Sequence, residues 1–206
     1  IELGFLEDAA YQNVKSVLWC GGVGQEGLYG LASVIAGTSN PSGKLVDTFA
    51  YDSTSAPSFS NMGDFSIANA DKNTERANKY LVYGEGIYVG YRYYETRYED
   101  TILGVNNASS SAGVKNGDST WKYESEVAFP FGYGLSYTNF EFSNLKVEHE
   151  SGDFLGTYKV SVNVKNVGEV KGKTPIQVYL QKPYTEYDKE NGVEKSAIQL
   201  VQFGKT

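Results

Sequence analysis

Apolar and polar positions change rhythm along the 206 residues, and the change divides the chain. Over residues 1 to about 50 the pattern alternates strand and helix. FLEDAAYQN (5–13) is amphipathic and leads into VKSVLW (14–19), an apolar run that predicts a strand. A glycine-rich turn follows. QEGLYGLASVIAG (25–37) then has the spacing of a helix ended by Gly37, and TSNPSG supplies turn chemistry before a second strand at KLVDTF (44–49). Strands alternating with helices predict a mainly parallel sheet with flanking helices, an α/β arrangement. Residues 51–79 are polar and irregular, a long loop of the kind that tends to carry function. YLVYGEGIYVGYRYYETRYED (80–100) is dense in Tyr. Read as extended, it places Val89, Tyr91, Tyr93 and Glu95 on one face and Tyr88, Gly90, Arg92 and Tyr94 on the other. Residues 106–120 form a low-complexity Gly/Ser/Asn stretch, predicted as a surface loop, with a glycosylation sequon at Asn107. Beyond VAFPFGYGLSYTNF the period becomes two. FEFSNLKVE, TYKVSVNVKNV, TPIQVYLQK and AIQLVQF predict an all-β, immunoglobulin-like sandwich, incomplete because only four strands fit where about seven are usual.

Charge narrows the partners. With 25 acidic against 18 basic residues and no basic run, the chain lacks the cationic footprint that nucleic acid or an anionic membrane requires. No apolar run reaches the roughly 18 residues of a membrane span. The opening IELGF has neither an initiator methionine nor a signal-peptide pattern, so the chain is expected to be a piece of a longer protein. Cys20 is the single cysteine and is expected to be a buried structural thiol; His149 is the single histidine and is expected at the surface. One of each leaves no basis for an internal disulfide, a Cys/His metal site, or Ser-His-Asp and Cys-His catalysis. The 17 Tyr suit either β-strands or a surface that stacks on polyhydroxylated ligands.

GVGQEG (22–27) fits the G-x-G-x-x-G spacing of a dinucleotide-binding turn, and Asp47 lies about 20 residues beyond it. Such a site needs its acidic residue at the end of the strand directly after the helix. Asp47 instead sits inside KLVDTF, behind the NPSG turn, with no further strand–helix units after it. The glycines are therefore expected to serve tight backbone geometry, with Glu26 in the first helical turn where the macrodipole favours an anion.

Three ordered blocks carry a family resemblance: LWCGGVGQEGLYGLASVIAGTSNPSGKLVDTF (18–49), YGEGIYVGYRYYE (83–95) and FPFGYGLSYTNFEFSNL (129–145). Together they resemble glycoside hydrolase family 3, in its α/β sandwich domain and the junction into a fibronectin type III-like domain; NVGEVKGKTPIQVYL resembles the middle strands of the latter. The resemblance implies residues 1–137, with loops 51–79 and 106–120, as the C-terminal part of the sandwich domain. Residues 138–206 would be a truncated fibronectin type III-like domain.

The family implies a retaining, exo-acting β-glycosidase, with glucose the expected sugar, that needs no cofactor or metal. Glycoside hydrolysis uses two carboxyl groups, and Glu26, Glu85, Glu95, Glu99 and Asp100 are the candidates by residue type. The resemblance argues against all five: the family's nucleophilic Asp belongs to a separate (β/α)8 barrel, and its acid/base Glu lies upstream of the first block. Neither is expected in this chain, which alone is expected to be inactive. Its partners would be β-linked carbohydrate and the barrel domain of the same protein. Arg92, Tyr94 and Glu95 are the candidate substrate-contacting residues, with pairing of Arg92 to Glu85 or another nearby carboxylate, or contact with the barrel, as the alternatives. PYTEYDKENG (183–192) is expected to be solvated. A non-catalytic carbohydrate-binding or interaction module is the competing reading of the whole.

Overall fold

The computed structural model describes residues 3–61, 65–66, 79–103, 121–150 and 156–206. The loop expected over 51–79 lies partly outside these residues, and the low-complexity stretch with its sequon lies outside them. Within them the chain forms two compact units, one of residues 1–17, 45–133 and 178–201, the other of 18–44, 134–177 and 202–206.

In the first unit, the segment from Leu45 runs antiparallel to the segment ending at Tyr133. Leu45 N–H donates to Tyr133 C=O and Gly132 N–H to Leu45 C=O, both at 2.8 Å. Strand β1 (Phe49–Ala50) then pairs antiparallel with β4 (Val127–Phe129), with a bulge between its two residue pairs. Between these lie β2 (Phe65–Ser66) and β3 (Lys79–Tyr80), another short antiparallel pair, and helix α2 (Tyr91–Leu103). The short helix α3 (Tyr123–Glu126) leads directly into β4. Ala50, Tyr94 and Val127 form the buried core, with Ala56, Tyr93 and Tyr123 packed on it.

The second unit holds helix α1 (Gly27–Ile35) and the ribbon of β5 (Phe140–Glu150) and β6 (Thr157–Asn166). A register shift between Ser143 and Lys146, with Asn144 at φ 54°, changes the parity of β5. Because side chains alternate along a strand, that extra residue returns Leu145 and Val147 to the face of Phe140 and Phe142. Asn40 of the NPSG turn ties the unit together. Its Oδ1 accepts from Ser136 Oγ at 2.9 Å and from Tyr137 N–H at 2.8 Å, and its Nδ2 donates to Lys171 C=O at 3.3 Å. The first and third sequence blocks thus meet side by side. β7 (Pro175–Gln181) pairs with β8 (Ile198–Lys205); their residues 178–181 and 198–201, and helix α4 (Glu186–Glu190) between them in the chain, belong to the first unit.

Several expectations are corrected. No parallel sheet forms among the described residues; the sheets are two-stranded, and every register the structure defines is antiparallel. VKSVLW is irregular and exposed rather than a strand. An apolar run becomes a strand only where a neighbouring strand pairs its backbone, and this segment belongs to no sheet among the described residues. KLVDTF contributes just its last residue to β1. The predicted β-sandwich is likewise replaced by a separate ribbon and strand pair. Cys20 is exposed, not buried. His149 is exposed as expected, its ring tilted against that of Tyr158 with centroids 5.0 Å apart.

The turn GVGQEG is a packing feature. Gly24 has φ 63°, a left-handed conformation that favours glycine, and Gly27 N–H donates to Val23 C=O at 3.0 Å. A Cβ on Gly27 would lie 2.8 Å from Val23 Cβ. Asp47 Oδ1 accepts from the adjacent Thr48 N–H at 2.8 Å, a local role unrelated to a ribose. Glu26 sits at the N-cap of α1 without a side-chain capping bond.

Candidate functional site

The Tyr-rich block is a helix, not an extended segment, and this rearranges every candidate on it. Gly90, at φ 56°, turns the chain into α2. From there the spacing of Tyr91, Tyr94 and Tyr98 is helical, and Arg and Glu in the run are good helix formers. The two faces expected for an extended strand therefore do not exist.

Tyr94 is buried, with its hydroxyl 3.0 Å from Ser55 Oγ; burial pushes its pKa up to about 12. Glu95 is half-buried and accepts from Tyr123 Oη at 2.5 Å. Arg92 is half-buried, and its carbonyl accepts from Thr96 Oγ1 at 2.5 Å. Glu85, the suggested ion-pair partner of Arg92, is buried and accepts from Asn61 Nδ2, while Asn61 Oδ1 accepts from Gly84 N–H at 2.9 Å. The structure thus places Tyr94 and Glu95 in one seam and Glu85 in another. Glu99 and Asp100 are half-buried further along α2.

The charged centre of the seam is a pair that the sequence reading did not single out. Arg97 Nη1 lies 3.3 Å from Glu126 Oε1, with side chains 6% and 1% exposed. Trp121 Nε1 donates to Glu126 Oε2 at 3.0 Å, and Arg97 Nη1 donates to Tyr93 Oη at 2.5 Å. The guanidinium carbon lies 5.7 Å from the Tyr93 ring centroid and 5.5 Å from that of Trp121, so the cation is flanked by two π-faces. Tyr98 meets Tyr123 edge-on at 5.3 Å. The one legible signal was the Tyr93–Arg97 spacing of four, a neighbour pair on a helix. Glu126 carried none, because its partner lies 29 residues away in sequence.

Helix α2 is also fastened by the C-terminal residues of the same unit. Ala197 N–H donates to Thr96 Oγ1 at 3.0 Å and Leu200 N–H to Tyr91 Oη at 2.9 Å. The Tyr91 ring packs on Phe131 at 4.6 Å and on Tyr179 at 6.1 Å.

The loop expected to be solvated is internally stapled. Thr185 and Asp188 form a capping box at the start of α4, and Lys195 Nζ reaches Asp188 Oδ2 at 2.5 Å and Pro183 C=O at 3.1 Å. Lys195 first, then the Thr185 amide and hydroxyl, hold the Asp188 carboxyl down at about 2. A depressed carboxyl contributes stability that is fully present above its unfolded value and is lost as pH falls through the folded one. Thermal melts between pH 6 and pH 2 should therefore show the wild type losing this contribution on acidification. Asp188→Asn should lack it throughout; equal slopes for the two proteins would contradict the staple.

Among the described residues no group of three or more His, Cys, Asp or Glu could hold a metal ion, and no helix is long and apolar enough to cross a membrane.

Comparison with known proteins accounts for this combination of a glycine-turn helix, a tyrosine helix and a junction block. Residues 5–91 match the Glycosyl hydrolase family 3 C-terminal domain. The chain is 34% identical over all of its 206 residues to a β-glucosidase of Ruminococcus albus, covering 16% of that protein. It is 34% identical over 194 residues, 93% of the chain, to thermostable β-glucosidase B of Acetivibrio thermocellus, covering 20% of it. Among solved structures, a β-glucosidase from Paenibacillus barengoltzii is similar over the whole chain and 18% of its own, with 31% identity and a TM-score of 0.70. β-Glucosidase 3B from Thermotoga neapolitana is similar over 85% of this chain and 18% of its own, with 34% identity and a TM-score of 0.56. The domain class is thus that of the C-terminal region of family 3 glycosyl hydrolases. The chain belongs to glycoside hydrolase family 3, and it spans about a fifth or less of the length of these relatives.

Proposed function

We propose that this chain is one part of a retaining, exo-acting β-glycosidase that releases terminal β-linked sugar, glucose in the first instance. The observation that carries the reading is the similarity along the entire chain to a β-glucosidase. In such an enzyme an Asp attacks the anomeric carbon while a Glu protonates the departing glycosidic oxygen, leaving a covalent glycosyl-enzyme. Water, deprotonated by the same Glu, then breaks that bond and restores the Asp. Both carboxyl groups belong to polypeptide outside these residues, the Asp to a (β/α)8 barrel. This chain binds no cofactor in the reaction.

Its own contribution is to shape the rim of the sugar pocket and to brace the domains, residues 1–137 and 138–206 serving as parts of two of them. Arg92, Tyr94 and Glu95 are the residues assigned to this rim, with half-buried Arg92 as the side chain that would meet a sugar hydroxyl and Tyr94 and Glu95 supporting it from within α2.

The test is an assay on aryl β-glucosides with the full polypeptide and with the 206-residue chain. The full polypeptide should turn over and release the β-anomer first, read by NMR; the chain alone should not. Comparable rates for both would overturn the placement of the catalytic carboxyls. Saturable sugar binding without turnover by the full polypeptide would favour a binding module instead.

A further inference from the structure

The seam between α2 and α3 holds two carboxyl groups, Glu126 buried and Glu95 half-buried. Glu126 has Arg97 at 3.3 Å and the Trp121 N–H at 3.0 Å. Glu95 lies one helical turn from Arg92 on one side and Glu99 on the other, and from α3 and β7 two phenols approach it. Tyr123 of α3 donates to it at 2.5 Å, and Tyr179 of β7 is close enough to feel its charge. Tyr98 meets Tyr123 edge-on, and after burial the charge of Glu126 adds to the upward shift of both Tyr94 and Tyr123.

A carboxylate in such a place carries a desolvation cost that a phenol only partly offsets, whereas a neutral carboxyl still accepts the Tyr123 hydrogen bond and leaves no unbalanced charge. The geometry points to a proton-responsive latch: Glu95 and Tyr123 join α2 to α3 most firmly when Glu95 is protonated, and the join loosens when it ionises. The inference is independent of the glycosidase reading.

The electrostatics agree in sign. Burial raises the Glu95 pKa, opposed by the Tyr123 hydrogen bond; burial raises that of Glu126 too, opposed by Arg97 and then Trp121. A carboxyl raised above its unfolded value binds more protons in the folded state. Its stabilising contribution is therefore complete below the unfolded value and is lost as pH rises through the folded one. The latch is firmer below the folded-state pKa of Glu95 and weaker above it.

The experiment is hydrogen–deuterium exchange by mass spectrometry on the full polypeptide from pH 4 to pH 8, corrected for intrinsic exchange. Peptides covering 93–98 and 121–126 report the seam, and peptides covering 140–150 serve as reference. In the wild type, protection of the seam should fall severalfold as pH rises while the reference holds. Glu95→Gln, neutral at every pH, should keep the seam protected with no pH dependence. Tyr123→Phe removes the donor of the join itself, so seam protection should be lower even in acid, and any remaining pH dependence should have its midpoint at higher pH. A purely structural role would lower protection in Glu95→Gln equally at all pH values, and that result would overturn the latch. A pH dependence that survives Glu95→Gln and disappears in Glu126→Gln would overturn it as well.

Discussion

Replacing Arg97 by Met should destabilise the protein by about 3–5 kcal/mol, because it leaves Glu126 buried without its cation. The side chains are 6% and 1% exposed, so water cannot take over the role of the guanidinium. The loss is also one of packing, since the guanidinium is flanked by Tyr93 and Trp121. Removing both charges tests how the cost divides. Arg97→Met with Glu126→Leu should recover most of the stability, because the desolvation cost of the carboxylate disappears with its partner. Chemical denaturation of the four proteins of this cycle measures both quantities. If the single Arg97 substitution cost under about 1 kcal/mol, the pair would be behaving as a surface salt bridge and the account of the seam would fail.

Trp121→Ala should cost a similar amount, about 3–5 kcal/mol, for a different reason. Trp121 is buried, donates from Nε1 to Glu126 and covers one face of Arg97, so Ala opens a cavity beside an ion pair. Trp121→Phe separates these contributions. It keeps a ring against Arg97 and most of the packed volume but removes the donor, so the expected cost is the unsatisfied-acceptor penalty of about 1–3 kcal/mol. Equal losses for Ala and Phe would assign the whole effect to the hydrogen bond. Denaturation midpoints read at one pH decide between them.

These two residues show where sequence reasoning stopped. Arg97 sits in the Tyr-rich block that drew attention to Arg92, Tyr94 and Glu95, yet assigning that block as extended assigned its side chains to the wrong faces. Alternating aromatic and polar residues over a short run resemble a strand by period. The helix is favoured by what surrounds the run: Gly90 starting it, and the Thr96 and Tyr91 hydroxyls accepting from Ala197 and Leu200. Gly90 is local, but Ala197 and Leu200 lie about a hundred residues away. Glu126 was equally invisible, since a carboxylate is identified as buried and paired only when a chain segment 29 residues away folds over it.

VKSVLW makes the complementary point. Its composition suits a buried parallel strand, but β structure is a property of pairs, and among the described residues this run belongs to no sheet. The helix at 27–35, the glycine turn before it and the alternating segments of β5 and β6 were legible, because each is specified by neighbours within a few residues. The same locality explains why GVGQEG could be separated from a nucleotide turn by its context.

The sequence by itself determined the family, through three ordered blocks, and the local elements whose hydrogen bonds or side-chain alternation close over short spans. Tertiary structure alone decided which strands found partners, that the tyrosine block is a helix, and that Arg97, Trp121 and Glu126 form its charged seam. The physical reason is range. Helix periodicity and turn chemistry are written within about four residues, whereas strand pairing and the burial of a charge depend on groups brought together from distant parts of the chain.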